Sequence, residues 1–128
     1  RIGCDDHAGL RPAMEVWAAV QAALEPRLAI LTVGRRDISF DQTLPIPIAR
    51  AALTARVAQS VPASWQITAL NDQHAYLRWD ALDDAQAPAV GERIGLGISH
   101  PCTTFDKWRW MPIVDDSYRV VDAITTQF

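Results

Sequence analysis

Trp65-Gln-Ile-Thr-Ala-Leu70-Asn-Asp-Gln-His74-Ala-Tyr-Leu-Arg-Trp79 is the stretch that decides the fold class of this chain. Residues 65–70 and 74–79 both alternate between apolar and polar side chains, and Asn71-Asp72-Gln73 between them is a turn-forming group. Alternation with period two suits a strand half-buried on a sheet, so the stretch reads as a β-hairpin.

The same pattern continues toward the C-terminus. After a loop over Asp80–Pro88, Gly91-Glu92-Arg93 leads into Ile94-Gly-Leu-Gly-Ile98, whose glycines predict close approach of another backbone or a ligand. Met111–Val114, Asp115–Ser117 and Tyr118–Ile124 give a second hairpin signal. On the N-terminal side, residues 13–22 read as a strand carrying Met14, Val16, Ala18 and Val20. Leu28–Val33 is a short apolar run of buried-strand size that ends at Gly34. A polar turn at Arg35-Arg36-Asp37 and a brief alternation over Ile38–Asp41 follow, and Pro45 and Pro47 then hold the backbone extended. Ile48–Gln59 changes composition. Its alanines favour a helix, but only Ile48, Leu53 and Val57 are available to bury, so a helical turn or two and a surface excursion remain equal alternatives. About seven short strands with polar turns and little helix predict a mostly β fold, a compact barrel or sandwich.

A length of 128 residues supports one core. Apolar residues at 49%, charged residues at 21% and a net charge of −3 exclude a basic nucleic-acid face, and no apolar run approaches the length of a membrane span. The start at Arg1 carries neither an initiator Met nor a signal-peptide pattern, so the chain reads as a piece of something longer. Cys4 and Cys102 are far apart and form no disulfide framework, which makes a reduced, cytoplasmic setting the default expectation. Lys107 is the single lysine among 12 basic residues, so any lysine chemistry in this chain must use it.

The residues that carry chemistry cluster in Gly95-Leu-Gly-Ile-Ser-His100-Pro-Cys102-Thr-Thr-Phe-Asp106-Lys-Trp108-Arg-Trp110. A residue before proline is pushed toward extended backbone, which predicts His100 and Cys102 on one face of a strand. Imidazole and thiolate are common zinc ligands, but two of them do not close a tetrahedron. Spacing alone therefore leaves two readings, an open metal site and a half-buried strand end, and favours the second. His7 and His74 are candidates of the same kind, with His74 placed either at an active-site mouth or as a hydrogen-bonded turn residue. Asp72 and Asp106 are candidate partners to orient His100. Trp65, Trp79, Trp108 and Trp110 read as core and interface packing.

Three strings resemble one family: Ile98-Ser-His-Pro-Cys-Thr-Thr-Phe-Asp-Lys-Trp-Arg-Trp-Met-Pro-Ile-Val114, Gly34-Arg-Arg-Asp-Ile-Ser-Phe-Asp41 and Leu70-Asn-Asp-Gln-His-Ala75. They resemble the C-terminal region of the D-serine dehydratase and D-threonine aldolase-like family, most closely its bacterial amino-acid deaminase branch. The resemblance spans most of residues 13–128. It implies the C-terminal β domain of a fold-type III pyridoxal-phosphate enzyme, with residues 1–12 as the end of a preceding α/β barrel and its linker. It also implies that His100 and Cys102 bind a catalytic zinc, and that Gly3 and Cys4 present backbone N–H groups to the cofactor phosphate, as suits an anion. The Schiff-base lysine would belong to the barrel and not to this chain. Lys107 then reads as a solvated charge on a strand edge. The reaction implied is elimination of the β-hydroxyl of a small D-amino acid, D-serine giving pyruvate and ammonia, in a homodimer. Aldol cleavage of D-threonine is the alternative within the family. A domain that only supplies a subunit interface, exposing Trp and Val on one face and binding no metal, is the third reading.

Overall fold

The computed structural model describes residues 13–127. Their strands are β1 (Glu15–Glu25), β2 (Leu28–Leu31), β3 (Ile46–Ala51), β4 (Gln66–Leu70), β5 (Ala75–Arg78), β6 (Arg93–Gly97), β7 (Trp110–Val114) and β8 (Val120–Thr125). The expected hairpin at 65–79 forms as β4 and β5, with Ile67 opposite Leu77 and Leu70 opposite Ala75. A bulge between Ile67 and Ala69 lets both Ile67 and Leu70 turn inward, where strict alternation would have sent Leu70 to solvent.

β1 is the longest strand and joins the two halves of the sheet. Its first half pairs with β6, Val16 opposite Leu96 and Trp17 opposite Gly95, and its second half pairs with β2, Val20 opposite Leu31. Six strands thus line up antiparallel in the order β3-β6-β1-β2-β5-β4. The edge strands β3 and β4 approach each other, so the sheet is curled toward a barrel. Its interior is filled by alternate residues of five of the six strands: Val16, Ala18 and Val20, then Ala29 and Leu31, Ile67, Ala75 and Leu77, Ile94 and Leu96. Trp65 and Trp79 close the core at the hairpin's open end. The mostly β fold read from the sequence is the one observed.

Two local expectations give way to tertiary pairing. Of the two alternatives for Ile48–Gln59 the helix does not form, and residues 52–58 run as an exposed surface turn with Leu53 and Val57 in solvent. Pro47, Ala49 and Ala51 turn inward as part of β3, which pairs with β6 and returns through an isolated bridge between Arg50 and Gln59. Alanine propensity amounts to a few tenths of a kcal/mol per residue, and pairing to a central strand outweighs it. Pro47 is tolerated because β3 is an edge. The loop over Asp80–Pro88 contains a short 3₁₀ segment, Ala81–Gln86, pinned where Asp84 accepts from Trp79 Nε1 at 3.0 Å and pairs with Arg27 at 2.9 Å.

One ion pair sits at the edge of the core. Arg50 donates from Nε and Nη2 to the two carboxylate oxygens of Glu92, at 2.5 and 2.9 Å, and lies over the Trp65 ring at 4.7 Å. Glu92 is buried and its second oxygen also accepts from the Ala89 N–H, so the charge is fully used.

Gly95 is approached by a side chain, in place of the backbone contact expected of it. A methyl group there would lie 2.8 Å from the indole of Trp17, its partner across β1. Tyr118, at the turn of the separate β7–β8 hairpin, meets the same indole edge-on at 5.4 Å. Trp17 Nε1 and the Tyr118 hydroxyl both donate to Glu15 Oε2, at 2.9 Å each. That cluster fixes how the hairpin leaves the barrel. It also holds Tyr118 at φ 61°, a left-handed conformation unusual for a bulky residue. No helix among the described residues is long and apolar enough to cross a membrane.

Candidate functional site

The three family-like strings, distant in sequence, meet at one end of the barrel. Gly34–Asp41 follows β2 as a loop, the brief alternation over Ile38–Asp41 included. Gly34 lies so close to the 71–74 turn that a Cβ on it would be 2.4 Å from Asp72 and Gln73 backbone atoms. The contact is sealed by Arg35 N–H donating to Asn71 O at 2.9 Å and Arg36 N–H to Asp72 O at 3.0 Å. Asp37 steadies the loop from within, its carboxylate accepting from Gly34 N–H at 3.0 Å. Ile38 and Ser39 are buried, which anchors the loop to the core.

The third string reaches the loop from the end of β6, which is separated from β2 by β1. After β6, Pro101 is helical (φ −73°, ψ −23°) and Cys102–Phe105 forms a single helical turn, α1. The expectation that His100 and Cys102 share a strand face is therefore corrected. Proline restricts the residue before it but is itself well suited to begin a helix, so the chain bends between the two residues. Buried Thr104 accepts from Ser39 N–H through Oγ1 at 2.9 Å, and Trp108 Nε1 donates to Asp37 O at 2.7 Å. His100 donates from Nδ1 to Asp41 Oδ2 at 2.6 Å, while Thr103 Oγ1 donates to Asp41 Oδ1 at 3.1 Å. The bond from His100, reinforced by Thr103, holds the Asp41 carboxyl below its ordinary value.

The partner of His100 is thus Asp41, and neither of the candidates Asp72 and Asp106. Asp72 lies in the turn against Gly34, and Asp106 ends α1 with its N–H bonded to Cys102 O. Asp41 lies at the end of the Gly34–Asp41 string, but nothing local ties it to a residue 59 positions away. Lys107 occupies the turn after α1, its N–H bonded to Thr104 O, and is not on a strand edge. Trp108 and Trp110 are 41% and 56% exposed, in contrast to core Trp65 and Trp79. Gly3, Cys4 and His7, with the whole of residues 1–12, lie outside the described residues.

Two features of this end have chemical potential. The first is an open cleft of about 340 Å³ lined by Gln21, Thr32, Arg36, Asp37, Gln73 and His74. His74 faces it and also lies 3.1 Å, through Nε2, from Gln21 Oε1, so it is both a cleft residue and a bonded turn residue. The second is the His100–Cys102 segment. Asp41 occupies Nδ1 of the imidazole, which leaves Nε2 as the available ligand atom, and the Cys102 thiol is exposed and unpaired. A nitrogen and a sulfur donor suit zinc with positions left open. Among the described residues no group of three or more His, Cys, Asp and Glu side chains converges to hold a metal.

No curated protein matches the chain. Among solved structures, the fold resembles the crystal structure of D-threonine aldolase from Filomicrobium marinum, with a TM-score of 0.72 at 21% identity. The likeness covers 96% of this chain but only 30% of the aldolase, so the chain spans less than a third of that protein's length. The model of the family described as "Putative serine dehydratase domain" matches residues 13–114, which takes in all three strings that converge on the Gly34–Asp41 loop. The chain belongs to that family, one of pyridoxal-phosphate-dependent enzymes.

Proposed function

We propose that residues 13–128 are the C-terminal β domain of a pyridoxal-phosphate enzyme that deaminates a small D-amino acid, and that residues 1–12 end the barrel before it. The reaction is β-elimination: the Cα proton and the β-hydroxyl leave D-serine, and hydrolysis of the enamine gives pyruvate and ammonia. The observation that carries this reading is the family match over residues 13–114 together with the histidine it includes, held by Asp41 at 2.6 Å with its second nitrogen free.

His100 and Cys102 are the residues that would hold a zinc ion. When bound, pyridoxal phosphate delocalises the electrons left at Cα, and zinc acts as a Lewis acid on a hydroxyl that is otherwise a poor leaving group. The chain's own work is positional. Asp41 and Thr103 fix the imidazole, and α1 presents the Cys102 thiol beside it in sequence. The loop from Gly34 to Asp41 ties that segment to the Arg36–His74 cleft. Gly3 and Cys4 are the proposed contacts to the cofactor phosphate, and the Schiff-base lysine belongs to the barrel. The setting proposed is a cytoplasmic homodimer.

A specific observation favours a second reading. The β7–β8 hairpin exposes Trp110, Val120 and Val121, as an interface element does. A domain limited to that role would make no use of metal. The test is pyruvate release from D-serine and acetaldehyde release from D-threonine by the intact enzyme, with and without a chelator. Pyruvate that vanishes on chelation and returns with zinc supports the deaminase. Acetaldehyde moves the assignment to aldol cleavage, and activity indifferent to chelator leaves the domain as scaffold.

A further inference from the structure

We propose that Asp41 is the positioning residue of the His100 site, fixing the imidazole with its proton on Nδ1 and its lone pair on Nε2, and that Thr103 fixes Asp41. The inference rests on the metal reading above and adds to it the residues that make His100 a competent ligand.

The argument starts from hydrogen-bond capacity. An ionised carboxylate only accepts, so the 2.6 Å contact between Asp41 Oδ2 and His100 Nδ1 requires the proton to lie on Nδ1. The neutral ring then presents an unprotonated Nε2, the form in which imidazole binds a metal. A free imidazole must give up the other tautomer and its rotational freedom before it can ligate, and a fixed one need not. Asp41 is itself fixed, because its other oxygen accepts from Thr103 Oγ1 at 3.1 Å. Thr103 stands on α1 between Cys102 and Thr104, and Thr104 is anchored in the core through Ser39 N–H at 2.9 Å. One helical turn therefore carries the thiol, the group that holds the carboxylate, and the anchor. The imidazole and the carboxylate are thereby referred to one anchored point of the barrel. Carboxylates behind metal-bound histidines typically contribute a factor of about 10–100 in metal affinity.

The experiment measures zinc affinity of the intact enzyme by competition with a chromogenic chelator, and reads the His100 tautomer by ¹⁵N NMR of the metal-free enzyme labelled in histidine. Asp41→Ala is expected to weaken zinc binding by about 10–100-fold and to shift the ring away from the Nδ1–H form. Thr103→Val is expected to weaken it less, and to have no further effect in the Asp41→Ala background, because it acts only through the carboxylate. Asp41→Asn keeps an acceptor of the same shape and is expected to fall between the wild type and Asp41→Ala, which separates loss of the bond from loss of fold. Unchanged zinc affinity in Asp41→Ala, or a wild-type ring protonated on Nε2, overturns the proposal. Zinc affinity indifferent to His100→Ala refutes the metal reading itself, an outcome distinct from failure of Asp41 alone.

Discussion

Replacing Gly34 by alanine is the perturbation whose cost the structure defines most directly. The backbone there has an ordinary φ, so alanine meets no conformational penalty and even gains about 0.4–1 kcal/mol from a less disordered unfolded chain. Everything unfavourable comes from space. An added Cβ would stand 2.4 Å from three backbone atoms of Asp72 and Gln73, which have no flexible end to swing away. Restoring van der Waals contact moves the loop and the turn apart by about 1 Å, enough to end both hydrogen bonds that join them, Arg35 N–H to Asn71 O and Arg36 N–H to Asp72 O. Two lost bonds at about 1 kcal/mol each and an overpacking strain of about 2 kcal/mol, less the unfolded-state gain, leave a destabilisation of about 3 kcal/mol. The assay is urea unfolding followed by tryptophan fluorescence, which reports the buried Trp65 and Trp79. Gly91→Ala is the control. There a side chain has open space but φ is +89°, so the cost is conformational alone, about 1–2 kcal/mol. A Gly34→Ala protein within about 1 kcal/mol of the wild type would refute the reasoning, because it would mean that the loop carrying Asp37 and Asp41 is not clamped to the turn.

Other expectations follow from the same geometry. Glu92→Ala strands the Arg50 guanidinium in a largely buried position and should cost about 3–5 kcal/mol in the same titration, whereas Arg27→Ala, which breaks an exposed pair with Asp84, should cost no more than about 1 kcal/mol. Partial burial and the hydrogen bond to Glu15 push the Tyr118 phenol from 10.0 up to about 12. A raised folded value means that its contribution is complete below pH 10, falls as the unfolded chain ionises first, and is gone above about 12. Unfolding free energies of wild type and Tyr118→Phe should therefore converge across that interval, and parallel curves would contradict the assignment. Cys102→Ala removes an exposed side chain and should change stability by no more than about 0.5 kcal/mol while lowering pyruvate release sharply. A large loss of folding with turnover intact would remove Cys102 from the site.

What the sequence by itself determined is whatever depends on neighbours along the chain. Alternation at 65–70 and 74–79 made a hairpin legible because both strands and their turn lie within fifteen residues. The long β1 and the β7–β8 pair were visible for the same reason. The strings that resemble the dehydratase family also lay open to reading, and the match over residues 13–114 agrees with them. Where a second segment supplies the deciding energy, local reading fails. Ile46–Ala51 became an edge strand because β6 was there to pair with it, against the preference of its alanines. Pro101 bent the chain into α1, where Thr104 is held by Ser39 from the loop after β2. Only the tertiary structure decided that Asp41 faces His100, since a hydrogen bond between residues 59 apart leaves no period, turn or propensity in the sequence between them. The physical reason is that strand formation is written in side-chain spacing, whereas a site is assembled by the curl of a sheet, which brings distant loops to one end of a barrel.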